Sequence, residues 1–187
     1  MSDVISITTP IDEITARRLR SGDRILLSGV IYTARDAAHK RMVEELSRTG
    51  RLPIDVVGQV IYYVGPTPAP PGRVIGSAGP TTSGRMDVYA PILIKHGLRG
   101  MIGKGFRSDP VIAAMREYGA VYFGATGGAG ALLARRILSC EVVAYPELGP
   151  EAIHRLEVSD FPLIVINDTY GRDLYREGTA HYSRLNK

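Results

Sequence analysis

Residues 24–47, Arg24-Ile-Leu-Leu-Ser-Gly-Val-Ile-Tyr-Thr-Ala-Arg-Asp-Ala-Ala-His-Lys-Arg-Met-Val-Glu-Glu-Leu-Ser47, change their periodicity halfway. The apolar run Ile25–Tyr32 predicts a strand over 24–32. Thr33-Ala-Arg-Asp36 then fits the short capping-box pattern that opens a helix. Ala34, Ala38, Met42 and Leu46 fall four apart, which predicts a one-faced helix to about Ser47. Strands alternate with helices along the rest of the chain, and the early strand-rich pieces suggest a mixed sheet.

Strands are predicted over 4–9, 54–64, 98–102, 120–123, 137–144 and 163–167. Helices are predicted over 86–96, 110–118, where a proline occupies the first turn, and 131–136. Residues 65–72, Gly-Pro-Thr-Pro-Ala-Pro-Pro-Gly, are too proline-rich for regular structure and predict an ordered loop. No internal repeat is present. The alternation predicts one compact α/β domain with a mixed sheet.

At 187 residues, 44% hydrophobic and 22% charged, the composition is that of an ordinary globular domain. No apolar run is long enough for a membrane span, and the N-terminus lacks the basic and apolar regions of a secretory signal. The cytoplasm is the expected location. The net charge of +4 comes from scattered basic residues, with no Lys/Arg block and no tryptophan. A small anionic ligand accounts for that excess better than nucleic acid does. The single cysteine, Cys140, excludes a disulfide framework and cannot alone hold a metal cluster.

The richest stretch is Gly76–Asp87, GSAGPTTSGRMD, with three glycines, four hydroxyl residues and an arginine. Glycines at 76, 79 and 84 let backbone N–H groups turn toward one point. Thr81, Thr82 and Ser83 offer hydroxyls, and Arg85 can hold a carboxylate with two parallel bonds. A helix starting near Arg85 would add its positive end. A capped turn with Arg85 in solvent fits the same composition. Two other glycine-rich stretches miss the nucleotide patterns. Gly100–Lys104 has the wrong spacing for a P-loop, and Gly105 stands where the Ser or Thr belongs. Gly124–Gly130, with glycines at 124, 127, 128 and 130, does not meet the dinucleotide spacing; tight turning and close packing account for it.

Arg35 and His39 are four apart, as on an exposed polar helix face. Lys104 lies between two glycines just after a strand, suiting either an active-site loop or an ordinary surface lysine. Cys140 reads as a buried strand residue, and Asn167-Asp168 as a turn.

Taken together, ARDAAHKR, SAGPTTSGRMD, MIGKGFRSD and YFGATGGAGALLARRI resemble the C-terminal domain, or separate β subunit, of the iron–sulfur hydro-lyases. These are the class I fumarases and L-tartrate dehydratases, and the resemblance runs from roughly Ile25 to Tyr175. It implies a single swivelling β/β/α domain over 1–187 that closes over a [4Fe–4S] cluster carried by a partner α subunit. This chain itself would hold no metal. The resemblance assigns Arg35, Arg85 and Lys104 to dicarboxylate binding, with Gly79 and Thr82 completing that set. Thr81 corresponds to the base that takes the C3 proton; its alternative role is to position the carboxylate. The implied activity is reversible hydration of fumarate to (S)-malate, with tartrate dehydration as the alternative within the family. The implied assembly is a hetero-oligomer, or a homodimer when alone, with neither nucleic acid nor membrane as partner. A non-catalytic dicarboxylate-binding module is the reading from another class.

Overall fold

The computed structural model describes residues 4–126 and 129–183, so residues 1–3, Gly127, Gly128 and residues 184–187 lie outside the described residues. The described residues form seven strands: β1 Val4–Thr8, β2 Arg24–Thr33, β3 Val60–Tyr62, β4 Gly100–Gly103, β5 Val121–Gly124, β6 Ile137–Ala144 and β7 Ile153–Asn167. They alternate with α1 Glu13–Arg18, α2 Asp36–Thr49, α3 Ala90–Lys95, α4 Asp109–Tyr118, α5 Gly130–Ala134 and α6 Leu174–Ser183.

The sheet order is β1-β2-β3-β4-β5-β7-β6, and β2 also pairs with β7. The strands β2, β3, β4, β5 and β7 therefore close into a barrel-like ring. Strands β2 to β5 run parallel, whereas β7 is antiparallel to both β2 and β5. The sheet is mixed, as expected.

Strand periodicity divides the core in two. Val60, Tyr62, Ile102, Val121 and Phe123 join Ile25, Leu27, Ile31, Leu156, Phe161 and Val165 in one cluster that fills the ring. The residues between them, Ile61, Met101 and Tyr122, face outward into a second cluster with Ala38 and Met42 of α2, Leu93 of α3 and Val111 and Met115 of α4. Ring strands buried on both faces explain why they read as unbroken apolar runs rather than alternating ones. Among the described residues no helix is long and apolar enough to cross a membrane.

Several boundaries differ from expectation, each for a local reason. The capping box at Thr33 does not form. Thr33 is the last residue of β2, and its hydroxyl instead donates to the Ala152 carbonyl (3.2 Å) and accepts the His154 N–H (3.0 Å). The strand expected over 54–64 shrinks to Val60–Tyr62, because the chain turns at Gly58 with φ of +71°. The helix expected from Met86 begins only at Ala90; Ser83–Met86 is a single 3-10 turn. Strand β7 starts ten residues before the expected 163, its apolar alternation having been obscured by Pro162. The loop over 65–80 is pinned at its neck by Thr67 N–H to Ser77 O (3.1 Å), Gly76 N–H to Thr67 O (3.2 Å) and Ser77 N–H to the Thr67 hydroxyl (2.8 Å).

Candidate active site

Four parallel strands deliver their carboxyl ends to one side of the ring, the place where open α/β sheets bind ligands. Arg35 leaves β2 two residues past its end and caps α2. The loop after β3 carries Gly79 to Arg85, and Lys104 is the first residue past β4. Residues far apart in sequence thus share one end of the domain by topology alone.

Backbone pairing locks two of these segments together. Thr81 N–H donates to Tyr63 O at 2.7 Å, Lys104 N–H to Thr81 O at 3.2 Å, and Ser83 N–H to Lys104 O at 2.9 Å. Thr82 and Lys104 consequently form a parallel bridge that carries the sheet beyond β4. The fit demands glycine at 103, since a Cβ there would overlap the Ser83 hydroxyl and crowd the Tyr63 ring. Gly130 has the same function under the other side of the loop. Its Cα lies 3.7 Å from where a Gly79 Cβ would stand, and its own Cβ would overlap Ser77 and crowd the Gly79 nitrogen. Close packing is therefore the role of Gly130, as expected from its small neighbours.

The charged groups gather around Asp36. Arg85 forms an ion pair with one Asp36 oxygen, and Arg35 Nε stands 4.0 Å from the other. Arg35 also pairs with Glu151 at 3.2 Å, while the second Glu151 oxygen accepts the Ala37 N–H at 3.1 Å. Arg85 is half exposed and Lys104 is exposed. Among the described residues Lys104 has no acidic partner within ion-pair range. Arg35 and Arg85 are thus joined through one carboxylate, and Thr81, Thr82 and Lys104 through one backbone ladder. The helix end expected near Arg85 is not there. A four-residue 3-10 turn has no appreciable macrodipole, so the positive character of this face comes from side chains.

Sequence reading missed Asp36 and Glu151, the acidic partners of the two arginines; Asp36 sat in plain view inside the ARD triplet. It also misread His39, which is fully buried rather than on an exposed face. The ring stands edge-on to Tyr63 at 5.3 Å, and Nδ1 donates to the Arg35 carbonyl at 2.9 Å, fixing the corner from which Arg35 projects. Asn167 and Asp168 behave as expected of a turn, with Asp168 accepting the N–H groups of Tyr170 (2.9 Å) and Arg172 (3.1 Å).

Burial lowers the His39 pKa from its ordinary 6.5 to about 4, partly opposed by the bond to Arg35 O and reinforced by the Arg107 cation. The unfolded chain therefore takes up this proton first as pH falls. Stability should be flat above about 6.5 on this account and decline between about 6.5 and 4, by up to about 1.4 kcal/mol per pH unit. Urea titrations at stepped pH should show that part of the slope missing in His39→Asn, which can still donate to the Arg35 carbonyl. An unchanged slope would exclude His39 as its source.

Cavities lie elsewhere. One of about 410 Å3 is lined by Pro66, Ile75, Cys140 and His154, and one of about 630 Å3 by Thr126, Leu133, Arg136 and Pro162. Neither is lined by the charged groups above, and with Arg85 half exposed and Lys104 exposed the candidate site presents its cations on an open face. Cys140 is half-buried on β6 and is the one thiol of the sequence. Among the described residues no three His, Cys, Asp or Glu side chains are grouped to hold a metal. The donors of this chain do not fit an iron–sulfur cluster.

The family described as Fumarase C-terminus matches residues 2–178. The chain is 40% identical over 177 residues to the anaerobic class I fumarate hydratase of Escherichia coli, covering 92% of this chain and 32% of that protein. It is 37% identical over 180 residues to fumarate hydratase 2 of Leishmania major, covering 94% and 32%. The chain thus spans about a third of the length of these fumarate hydratases. A chain of similar size is the putative L(+)-tartrate dehydratase subunit beta of Methanocaldococcus jannaschii, 39% identical over 178 residues and covered to 91% on both sides. With a family match over almost its whole length, and relatives near 40% identity across the same span, this chain belongs to the Fumarase C-terminus family.

Proposed function

We propose that the chain is the β subunit of a two-part iron–sulfur hydro-lyase, most simply a fumarate hydratase that interconverts fumarate and (S)-malate. One observation carries the reading: Arg35 and Arg85 meet at Asp36 on the same open end where Lys104 is bridged to the Thr81–Thr82 segment. Three cations against two carboxylates leave this end net positive, beside the hydroxyls of Thr81 and Thr82, which suits a small anion. The near-equal length of the tartrate dehydratase β chain supports a separate subunit, and it also makes L-tartrate dehydratase the second reading.

In this reading the partner carries the cluster, and the residues of this chain bind and orient. In the dehydration direction, the C3 proton and the C2 hydroxyl leave together as water. Loss of the C3 proton builds charge on the adjacent carboxylate, and fixed cations stabilise that charge as it forms. Two arginines and a lysine also hold the dianion in one orientation, which supplies proximity. Gly79 and Thr82 complete the carboxylate contacts. Thr81 either takes the C3 proton or positions the carboxylate. The assembly is a hetero-oligomer in the cytoplasm.

Anaerobic reconstitution with the cysteine-bearing partner, followed by assays with fumarate and with L-tartrate, tests the reading. Turnover of either identifies the substrate. Tight dicarboxylate binding by the chain, with no cluster-bearing protein that assembles with it and no turnover, would favour a binding module instead. Within an active assembly Thr81→Val separates the two roles of that hydroxyl. A base leaves analogue binding intact while kcat collapses by roughly 10²–10⁴-fold. Retained kcat with a raised KM leaves only the positioning role.

A further inference from the structure

Arg107 is the largest of the fully buried side chains, and its guanidinium has no solvent exposure. Arginine is almost never so buried unless paired. Here Nε lies 2.9 Å from an Asp87 oxygen, and Nη1 donates to the Tyr63 hydroxyl at 3.1 Å. The same guanidinium stands 5.2 Å from the Tyr63 ring centre and 5.1 Å from that of Tyr122. Asp87 uses its other oxygen to accept the Ser108 N–H at 2.6 Å.

Each of these contacts leads to the candidate site. Asp87 ends the segment that begins with Thr81, and Arg107 and Ser108 end the segment that begins with Lys104. The ion pair therefore clamps the far ends of the two loops that the Thr82–Lys104 bridge joins at the near end. Tyr63 holds Thr81 through its carbonyl. Tyr122 accepts from the Ser83 hydroxyl at 2.7 Å and donates to Gly105 O at 3.0 Å. Arg107 thus touches the two aromatic residues that hold these loops, and the one carboxylate that fastens them. A buried ion pair is a poor source of net stability compared with an apolar packing of the same volume. What it does supply here is a fixed distance between two charged loops.

We propose that Arg107, held on Asp87, is a positioning residue that sets the spacing between the Thr81–Arg85 loop and Lys104. Its consequence for turnover rests on the hydro-lyase reading above; its effect on the loops does not. Arg107→Lys keeps the charge but lacks the fork that reaches Asp87 and Tyr63 together.

The test has two arms. In the full chain, amide exchange at Ser83 and Lys104 should quicken by at least about tenfold more than at the β3 amides, because the loops loosen while the ring stays closed. In the enzyme assembled with its partner, kcat per folded molecule should fall about 10²-fold, the usual scale for an ångström of misplacement. Exchange that quickens only in step with β3 overturns the proposal, as does kcat within about threefold of the parent. If the parent assembly turns over neither fumarate nor tartrate, the functional reading fails and the exchange arm alone decides the positioning role. Should Arg107→Lys not fold, Asp87→Asn removes the charge that holds the guanidinium, keeps an oxygen for the Ser108 N–H, and is judged by the same two measurements.

Discussion

Arg85→Ala should cost the assembled enzyme about 2–5 kcal/mol of transition-state binding, read as kcat/KM, if Arg85 holds a substrate carboxylate. Two effects add in the same direction. The substrate loses a partner able to make two parallel bonds, and Asp36 loses its ion-pair partner. Asp36 would then keep only the 4.0 Å approach of Arg35, leaving a carboxylate directed at the site of an incoming dianion. Like charges at short range oppose binding. Arg85→Lys should recover only part of the loss, because an ammonium cannot reproduce the fork. Half-exposed and on a 3-10 turn, Arg85 contributes little to the core, so circular dichroism and melting temperature should stay near the parent values. A kcat/KM near the parent value would place Arg85 outside the pocket and leave Asp36 as its sole partner. Arg35→Ala should lose activity too, with some loss of stability, since Arg35 braces Glu151 and covers Gly65.

How much of this was legible in the sequence depended on whether a signal was local. Strands β2 and β6 and helices α2 and α4 were read nearly to their ends, because each is a long run with one periodicity. Helix α1 was missed. It spans six residues, too few for a periodic stripe, although Asp12 caps it through the Thr15 N–H at 2.6 Å. Ring closure was not legible either. It depends on β7 pairing with β2 across more than a hundred residues, Arg24 opposite Ile164 and Tyr32 opposite Arg155. At the site, the residue types were visible in the motifs, but their partners were not. That Arg85 would meet Asp36, and Arg35 would meet Glu151, follows from where β2, β3 and the 3-10 turn at 146–151 end in space. His39 shows the limit most directly. Its spacing from Arg35 suits an exposed face, and only the packing of Tyr63 and Tyr89 against its ring reveals that the face is covered.

Produced alone, the chain should be colourless, bind no stoichiometric iron, and show neither fumarate hydratase nor tartrate dehydratase activity. A [4Fe–4S] cluster takes several thiolates, and this sequence contains one cysteine. That thiol is also poorly suited as a ligand. Cys140 lies half-buried opposite Leu156 in the β6–β7 ladder, and burial raises its pKa, away from the thiolate form that binds metal. Binding of a dicarboxylate by the isolated chain should nevertheless remain measurable and weak. The Thr81–Lys104 ladder is internal to this domain, but Arg85 and Lys104 are exposed and solvent screens them. Iron analysis and absorbance spectra of the purified chain, then of the anaerobic assembly, separate the two states. Cys140→Ser should leave cluster content and kcat of the assembly within about twofold of the parent, because the substitution changes one atom outside the loops that carry the site. Stoichiometric iron in the isolated chain, or cluster loss on Cys140→Ser, would make this domain a cluster ligand and overturn the division of labour between the two parts.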